Sequence, residues 1–177
     1  MQVIPHAVLT NLEGTLSIRA GVVPVLRTIN GLRFLLGTKR SRGELTDFGG
    51  GCKVSKKESP IQCAMRELKE ELALPEIIRQ IDVNINRPDR TTIIRASAAK
   101  MDSPEKRYWF LVLVNVDPAS IRGFLPTKEI STINWYDLNV FRPNQKAIND
   151  SFVACVGFIR KLRRNYPRFL SQTIQVN

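Results

Sequence analysis

Residues 58–71 constrain the fold of this chain more than any other segment, because they carry the signals of an amphipathic helix with a fixed start. Ser59 suits the N-cap, Pro60 suits the first helical position, and the spacing to Gln62 predicts a capping box. The helix is expected to end before Pro75, because a residue that precedes proline is disfavoured in the α conformation. Its core-facing stripe recurs at helical spacing and comprises Ile61, Met65, Leu68 and Leu72.

Three glutamates of this helix lie on one side. Glu67, Glu70 and Glu71 stand at spacings i, i+3 and i+4, where like charges repel and weaken a helix. The chain as a whole is basic, with 27 Lys plus Arg against 16 Asp plus Glu and a formal charge of +11. Such a carboxylate cluster favours a divalent metal ion as its partner. The alternative is an ordinary solvated helix face, on which Arg66 and Glu70 form an i, i+4 ion pair.

A glycine-rich turn precedes the helix and completes a longer pattern. Three glycines end at Gly51, and Glu58 follows after six intervening residues. After seven further intervening residues the chain continues as Arg-Glu-hydrophobic-x-Glu-Glu, from Arg66 to Glu71. This arrangement resembles the Nudix box of pyrophosphohydrolases. The usual box has one residue fewer after the glycine, and it has a glycine in place of Ala73.

The resemblance implies a fold and an activity. The fold is an α/β Nudix-like α/β/α sandwich with a mixed β-sheet, and the resemblance covers roughly residues 20–165. The activity is hydrolysis of a diphosphate linkage in a nucleoside diphosphate derivative, with Mg²⁺ or Mn²⁺ as cofactor. Oxygen ligands suit these ions, which bridge phosphate oxygens and lower the pKa of a bound water. We therefore expect an enzyme acting on phosphoric anhydride bonds.

The same resemblance implies roles for individual residues. The metal ligands would be Glu67, Glu70, Glu71 and the backbone carbonyl of Gly50. Glu67 would belong to the catalytic residues as well. Arg66 is expected to orient the carboxylates through charge-assisted hydrogen bonds. Glu58 is expected to steady Arg66 and the preceding loop.

Many relatives use one further acid, outside the box, as a metal ligand or general base. Glu129 is the residue we expect in that role, because it lies shortly before a predicted strand that carries Trp135. Asp102 and Glu105, in the preceding loop, are rivals for it. The alternative interpretation of Glu129 is a solvated loop glutamate with no catalytic part.

Composition excludes several other classes of protein and site. A chain of 177 residues, 43% hydrophobic, suits a globular protein, and it has neither a run long enough to span a membrane nor a visible secretory signal. Cys52, Cys63 and Cys155 are odd in number and lack C-x-x-C spacing, which argues against a disulfide framework or a cysteine zinc site. This cysteine usage predicts a reducing compartment, the cytoplasm or, as an alternative, the nucleus. His6 is the only histidine, so a histidine dyad cannot form within the chain.

The pattern along the chain predicts one domain with an N-terminal addition. Residues 1–19 would form a strand or arm, and residues 20–177 a single Nudix-like domain. Strands are expected at 21–27 and 32–36, joined by a hairpin turn at Asn30-Gly31, with Pro24 at an edge or bulge. Further strands are expected near 91–95, at 108–116 and at 130–136. A last helix, basic on its exposed side, is expected at about 144–165.

Charge distribution is the main guide to the substrate. Residues 141–177 contain seven basic residues and one acidic residue. The loops before the box helix add further basic side chains, at Lys39, Arg40, Arg42, Lys53, Lys56 and Lys57. Because a basic face attracts an RNA backbone, we expect capped RNA as substrate and mRNA decapping as function, with RNA bound by the C-terminal helix.

Three alternatives remain at this point. The chain could hydrolyse a small molecule: a nucleotide sugar, a dinucleotide polyphosphate, a nucleoside triphosphate or a diphosphoinositol polyphosphate. It could be a non-catalytic Nudix-fold RNA-binding module, an interpretation motivated by the longer loop and by Ala73. The basic side chains could also be solvated residues with no dedicated partner.

Overall fold

The computed structural model describes residues 2–4, 16–97 and 107–137. Its strands, in chain order, are β1 Gln2–Ile4, β2 Leu16–Thr28, β3 Gly31–Lys39, β4 Leu45–Thr46, β5 Phe48–Gly51, β6 Thr91–Ser97, β7 Arg107–Val116 and β8 Ile130–Asp137. Two α-helices, α1 Pro60–Leu72 and α2 Pro75–Asn84, follow β5, and a short 3₁₀ helix, Val54–Lys56, precedes α1. The helix expected at 144–165 lies outside the described residues.

All the described strands belong to one mixed sheet. Its main order is β1-β6-β7-β2-β3-β4, with β5 paired to β2 and β8 paired to β3. The long strand β2 runs parallel to β7 and antiparallel to β3 and β5. The predicted α/β fold with a mixed sheet is therefore confirmed, and β2 is its central strand.

The predicted hairpin is present. The edge or bulge predicted for Pro24 is wrong, because β2 is an interior strand and its register with β7 is continuous at Pro24. Thr28 pairs with Gly31 across the turn. Pro24 lies inside the central strand, where β2 changes partner on one side: Val22 pairs with β5, and Val25 pairs with β3. Pro24 falls between these two pairings, where a missing backbone N–H is least costly.

Helix α1 begins as its sequence predicts. The Ser59 side chain accepts a hydrogen bond from the Gln62 backbone N–H (3.2 Å), and the Gln62 side chain accepts one from the Ser59 N–H (2.9 Å). Pro60 is the first helical residue. The helix ends at Leu72, and Ala73 takes a left-handed conformation with φ 47° and ψ 34°. This is a conformation that favours glycine, the residue usual at this place in the Nudix box.

Both helices pack on the same face of the sheet. The larger core cluster joins Leu68 and Leu72 of α1 with Ile77 and Ile81 of α2 and with inward residues of the central strands. Helix α2 has no counterpart among the helices expected from the sequence, although its first residue is the proline that ends α1. A second core cluster lies on the other face of the sheet. Neither helix has the length and apolar character needed to span a membrane, and the rest of the described chain supplies none that does.

Strands β2 and β5 approach each other through glycines. Gly21 pairs with Gly49, and a side chain added at Gly49 would come within 2.6 Å of the Ala20 carbonyl oxygen and overlap Gly21 Cα. A Cβ at Gly21 would overlap the Asp47 carboxylate. At Gly21 and Gly49 the surface of β2 and β5 next to α1 therefore consists of backbone alone, and we call it the glycine floor. The absence of side chains there lets β5 lie directly against α1.

Candidate metal centre

The three box glutamates occupy three different environments on α1. The side chain of Glu67 is 12% exposed and that of Glu70 is 58% exposed. Glu71 is 2% exposed as a residue. This ranking follows from the helical geometry, because Glu71 stands nearest the apolar stripe and Glu70 furthest from it. Glu71 and Glu67 contact β5, at Gly49 and Gly50, whereas the exposed Glu70 lies near Arg66.

Glu71 is a buried carboxylate with an incomplete set of partners. Its Oε2 accepts a hydrogen bond from the Gly49 backbone N–H at 2.8 Å. Its buried Oε1 has no hydrogen-bond partner in the described part of the chain. Burial raises the pKa of Glu71 to about 8, and the negative charges of Asp47 and Glu129 act in the same direction. The Gly49 N–H and the Lys39 cation oppose this rise only in part.

Asp47 and Arg19 form an ion pair below the glycine strand that sequence reasoning missed. Arg19 donates to both oxygens of the buried Asp47 carboxylate, at 2.7 and 2.8 Å. The same guanidinium donates to the Gly49 carbonyl at 3.2 Å. Gly49 is thereby held on both of its backbone groups, by Arg19 on one and by Glu71 on the other. The one available signal was an acid directly before Phe48 and the triple glycine.

Arg66 is the centre of a second network, at the N-terminal end of the site. Its Nε and Nη2 donate to the two oxygens of Glu58, at 2.7 and 3.0 Å. Nη2 also donates to the Gly51 carbonyl at 2.9 Å, and Nη1 donates to Glu67 Oε1. Glu70 lies 3.6 Å from Nη1. One guanidinium therefore contacts the glycine strand, the loop glutamate and two of the box carboxylates.

Both carboxylate oxygens of Glu58 accept hydrogen bonds. Besides Arg66, it accepts a hydrogen bond from the Lys53 backbone N–H at 2.7 Å. The hydrogen bond from Arg66 is the main reason why the pKa of Glu58 is lowered to about 2, and burial opposes the change. Correspondingly, the hydrogen bond to Glu58 raises the pKa of Arg66.

The extra loop residue does not keep Glu58 from Arg66. Lys57, directly before Glu58, has a positive φ of 52°, which turns the chain sharply at this point. The Lys53 N–H bond to Glu58 closes the loop beneath that turn. The loop thus delivers the Glu58 carboxylate to Arg66 in spite of its additional residue.

The Glu67 carboxylate lies against the backbone of Gly50, in space that a side chain at this position would fill, and we call this space the glycine cradle. A Cβ at Gly50 would overlap that carboxylate, whose Oε2 is the nearest atom. Arg66 contacts Oε1, whereas Oε2 is the Glu67 oxygen nearer to Gly50. The donor set consists of carboxylate and carbonyl oxygens, and it includes the under-bonded Oε1 of Glu71. These residues fit a divalent cation of the magnesium type.

Glu129 is held near this centre by Arg40. The Arg40 backbone N–H donates to the Glu129 carbonyl, and Arg40 Nε donates to the Thr127 carbonyl, both at 2.8 Å. Glu129 is exposed, and its charge contributes to the raised pKa of Glu71. Of the three acids considered outside the box, Glu129 is therefore placed close to the centre. Asp102 and Glu105 lie outside the described residues.

A disulfide joins Cys52 and Cys63, contrary to the expectation from cysteine number and spacing. Their Cα atoms are 5.2 Å apart, and the bond links the residue after β5 to the fourth residue of α1. The two cysteines stand 11 residues apart, so no short motif marks the pair. They meet only because β5 runs alongside α1, which is a tertiary relation.

Comparisons with known proteins identify the family and the fold. The NUDIX domain family model matches residues 16–154. No curated protein sequence matches the chain. Among solved structures, a C. elegans Ap4A hydrolase binary complex has 16% identity and a TM-score of 0.52, over 86% of this chain and 100% of that one.

Two further solved structures are similar over most of their length. The Nudix hydrolase RenU from M. Smegmatis has 16% identity and a TM-score of 0.55, over 85% of this chain and 89% of that one. The NUDIX domain of Shewanella oneidensis NrtR, complexed with ADP ribose, has 14% identity and a TM-score of 0.55. That match covers 86% of this chain and 90% of the other. At these identities the likeness concerns the fold.

Proposed function

Because the chain belongs to the Nudix family of hydrolases, we propose that it is a divalent-metal-dependent pyrophosphohydrolase whose preferred substrate is capped RNA. One observation carries the metal-dependent chemistry: Glu71 is buried with an unpartnered oxygen beside Gly49, next to Glu67 in its glycine cradle. Nudix hydrolases generally need divalent metal ions. For this chain we propose Mg²⁺ or Mn²⁺.

Each group of the site has a part in this proposal. Glu67, Glu70, Glu71 and the Gly50 carbonyl would hold the ion. When bound, a divalent ion neutralises phosphate oxygens and lowers the pKa of a bound water. Arg66 fixes the orientation of Glu67, and Glu58 fixes Arg66. For Glu129, which is exposed and close enough for its charge to affect Glu71, we propose the role of general base toward the attacking water.

Positive charge at both ends of the centre supports a long polyanionic substrate. The loop between β3 and β4 carries Arg40 and Arg42, and the loop before α1 carries Lys53, Lys56 and Lys57, all exposed. Lys39 is close enough to lower the pKa of Glu71. A substrate with phosphates on both sides of the scissile linkage would be attracted by both loops.

The proposal also includes an RNA contact outside the metal centre and a location in the cell. The basic C-terminal helix expected to contact RNA lies outside the described residues, so that contact is a prediction from charge alone. A cytoplasmic or nuclear location, where capped RNA occurs, belongs to the same proposal.

A small dinucleotide is the second candidate substrate. It is favoured by the similarity to an Ap4A hydrolase and to a NUDIX domain complexed with ADP ribose. Such a substrate would occupy the centre without needing the outer basic residues. The two candidates therefore differ in whether turnover depends on the length of the attached RNA.

The two departures from the usual box do not favour a non-catalytic module. The longer loop still delivers Glu58 to Arg66, and the helix still ends in a left-handed residue although that residue is Ala73. The groups expected to carry catalysis are therefore assembled.

The test is a panel of substrates assayed with Mg²⁺ and with Mn²⁺, beside the Glu70→Gln variant. The panel holds capped RNA, free cap analogue, nucleotide sugars, nucleoside triphosphates, dinucleotide polyphosphates and diphosphoinositol polyphosphate. Release of a capped nucleoside diphosphate from RNA only, abolished by Glu70→Gln, is the expected result. Glu76→Gln, on the exposed face of α2, is the matched control and should retain full activity.

Other outcomes change the proposal in defined ways. Turnover confined to one free small molecule would replace capped RNA by that substrate class and leave the metal-dependent mechanism standing. No turnover on any substrate, with both metals, would overturn the enzymatic proposal and favour the binding module.

A further inference from the structure

The Cys52–Cys63 disulfide lies inside the proposed metal centre. Cys52 directly follows Gly51, the last residue of β5, and is half-buried. Cys63 is fully buried on α1. Cys63 Sγ lies 3.8 Å from the Gly50 carbonyl oxygen and 3.9 Å from Arg66 Nη2. The bond therefore ties the carbonyl-bearing strand to the helix that carries the box glutamates.

We propose that Cys52 and Cys63 form a reversible oxidative modification site that controls the geometry of the metal centre. The disulfide form holds the Gly50–Gly51 backbone against α1, and the dithiol form releases it. The inference rests on the proposed function, since it assumes that this backbone takes part in metal binding. Nothing in the box pattern itself requires either cysteine.

The chemistry is thiol–disulfide exchange with a low-molecular-weight thiol. Two external thiols transfer two electrons and two protons to the bond between Cys52 and Cys63. The products are two cysteine thiols and one external disulfide. The reverse reaction, with an external disulfide as oxidant, restores the protein bond and returns two external thiols. The half-buried Cys52 sulfur offers the point of attack, because Cys63 is inaccessible.

Reduction must move the turn rather than the helix. Two sulfurs that are no longer bonded separate to van der Waals distance, a change on the order of 1.5 Å. Cys63 is fixed because α1 is anchored by buried residues such as Leu68 and Leu72. Cys52 and Gly51 are therefore the residues that shift. Gly51 carries the carbonyl that Arg66 contacts at 2.9 Å, so the shift reaches the carboxylates through Arg66.

A thiolate metal site is the competing use of the same atoms. Cys52, Cys63 and Glu58 place one ligand atom each within 4.8 Å of one another. Both Glu58 oxygens, however, already accept hydrogen bonds from Arg66, and one accepts a further bond from the Lys53 N–H. A cation there would also face the Arg66 guanidinium, which lies 3.9 Å from Cys63 Sγ. These contacts favour redox chemistry over metal binding at the cysteines.

The experiment compares the full chain poised at a series of ratios of reduced to oxidised glutathione. Free thiols are trapped by alkylation, and the bonded pair is identified by peptide mass mapping. The rise in melting temperature on adding Mn²⁺ is measured for each state, followed by hydrolysis rates on the panel substrate that is turned over. We expect a Cys52–Cys63 bond in the oxidised state. On reduction we expect the Mn²⁺ concentration for half-maximal stabilisation to rise 10- to 100-fold, because losing the contacts that orient metal ligands typically costs roughly that much in metal affinity.

Variants separate this control from a general loss of stability. Cys52→Ser should behave as the reduced protein at every glutathione ratio, and Cys155→Ser should keep the full response. If Cys52→Ser does not fold, the comparison of oxidised and reduced unmutated chain decides the question. Zn²⁺ binding by the reduced chain, lost in Cys52→Ser, would overturn the redox proposal in favour of the thiolate site.

Failure of this inference can be told from failure of the proposed function. A redox-independent Mn²⁺ response with normal turnover, or a bond that involves Cys155 instead, would overturn the inference alone. Absence of turnover in both redox states, with the Mn²⁺ response still dependent on reduction, would overturn the proposed function alone.

Discussion

Glu58 and Glu71, at the two ends of the box, are the same side chain in opposite electrostatic situations. Glu58 accepts hydrogen bonds from Arg66 and from the Lys53 N–H, and its pKa is lowered to about 2. Glu71 accepts one from the Gly49 N–H and keeps an unpartnered oxygen, and its pKa is raised to about 8. Carboxylates whose pKa values are driven apart by their surroundings usually have different tasks.

In the proposed function these two glutamates have different tasks: Glu58 holds Arg66 in position, and Glu71 binds the metal ion. Glu58 has no further need of a cation, because Arg66 already supplies one. Once Glu71 loses its proton, above a pH of about 8, we expect it to destabilise the fold unless a cation is bound, because a buried charge without a counter-ion is costly. Substitutions at Glu58 and at Glu71 should therefore change stability in opposite directions.

The sharpest test of the contrast is the pH dependence of stability without metal. The folded chain binds the Glu71 proton more tightly than the unfolded chain does, so raising the pH favours unfolding. The free energy of unfolding should fall as the pH rises from about 4.5 through about 8, by about 4 kcal/mol from this group alone. Urea denaturation in a chelator, across this range, measures it. Parallel pH profiles for the unmutated chain and Glu71→Gln would contradict this assignment.

Glu71→Gln should also separate stability from activity. In a chelator at pH 9 the variant should be more stable than the unmutated chain, because the buried charge is gone. Its stabilisation by Mg²⁺ should disappear, and its turnover should fall roughly 100- to 1,000-fold, as when one preorganised electrostatic group is removed. Thermal denaturation with and without metal measures the two stability effects, and the hydrolysis rate measures turnover. Glu76→Gln is the control in both assays. Equal metal shifts for variant and unmutated chain would show that Glu71 is not a ligand.

Glu58→Gln should behave in the opposite way. An amide cannot accept both Arg66 hydrogen bonds, so Arg66 should lose its fixed position and activity should fall roughly 10- to 100-fold. Stability should drop at neutral pH, and the loss should be nearly constant above about pH 4.5. The contribution of Glu58 disappears only as the pH falls toward about 2. Activity titrated with Mn²⁺ measures the effect, and a gain in stability at pH 9 would remove the contrast with Glu71.

The smallest effects should come from the two left-handed residues beside these glutamates. Lys57 precedes Glu58 with φ 52°, and Ala73 follows Glu71 by two positions with φ 47°. Because left-handed backbone costs an L side chain about 1 kcal/mol or more, Lys57→Gly and Ala73→Gly should each raise the free energy of unfolding by up to about 1 kcal/mol. Urea denaturation of both variants checks the prediction. A loss of stability in either variant would show that the side chain itself contributes there.

Local signals in the sequence were sufficient for much of this fold. The capping box of Ser59 and Gln62 is a short-range pattern, and it fixes the start of α1 as predicted. The apolar stripe places Glu71 nearest the core, and the Asn30-Gly31 turn marks the β2–β3 hairpin. These features depend on residues a few positions apart, so tertiary context does not overrule them.

The parts that could not be predicted depend on contacts between distant segments. Pro24 suggested an edge strand, but the partner change on one side of β2 accommodates it in the centre. The pairing of Arg19 with Asp47, and that of Cys52 with Cys63, arise only once β2, β5 and α1 are assembled. Metal binding by Glu67, Glu70 and Glu71 stays a prediction.

The glycine floor formed by β2 and β5 limits how this centre can be altered by evolution or by design. No single substitution at Gly21 or Gly49 can add a side chain there without moving a neighbouring strand or carboxylate. In a library that randomises Gly21 and Gly49, we therefore expect most members to have a displaced strand or carboxylate. We expect changes in substrate preference to come instead from the exposed residues beside the centre, at Arg42 and around Glu129. Their side chains can vary while the backbone of β2 and β5 stays in place.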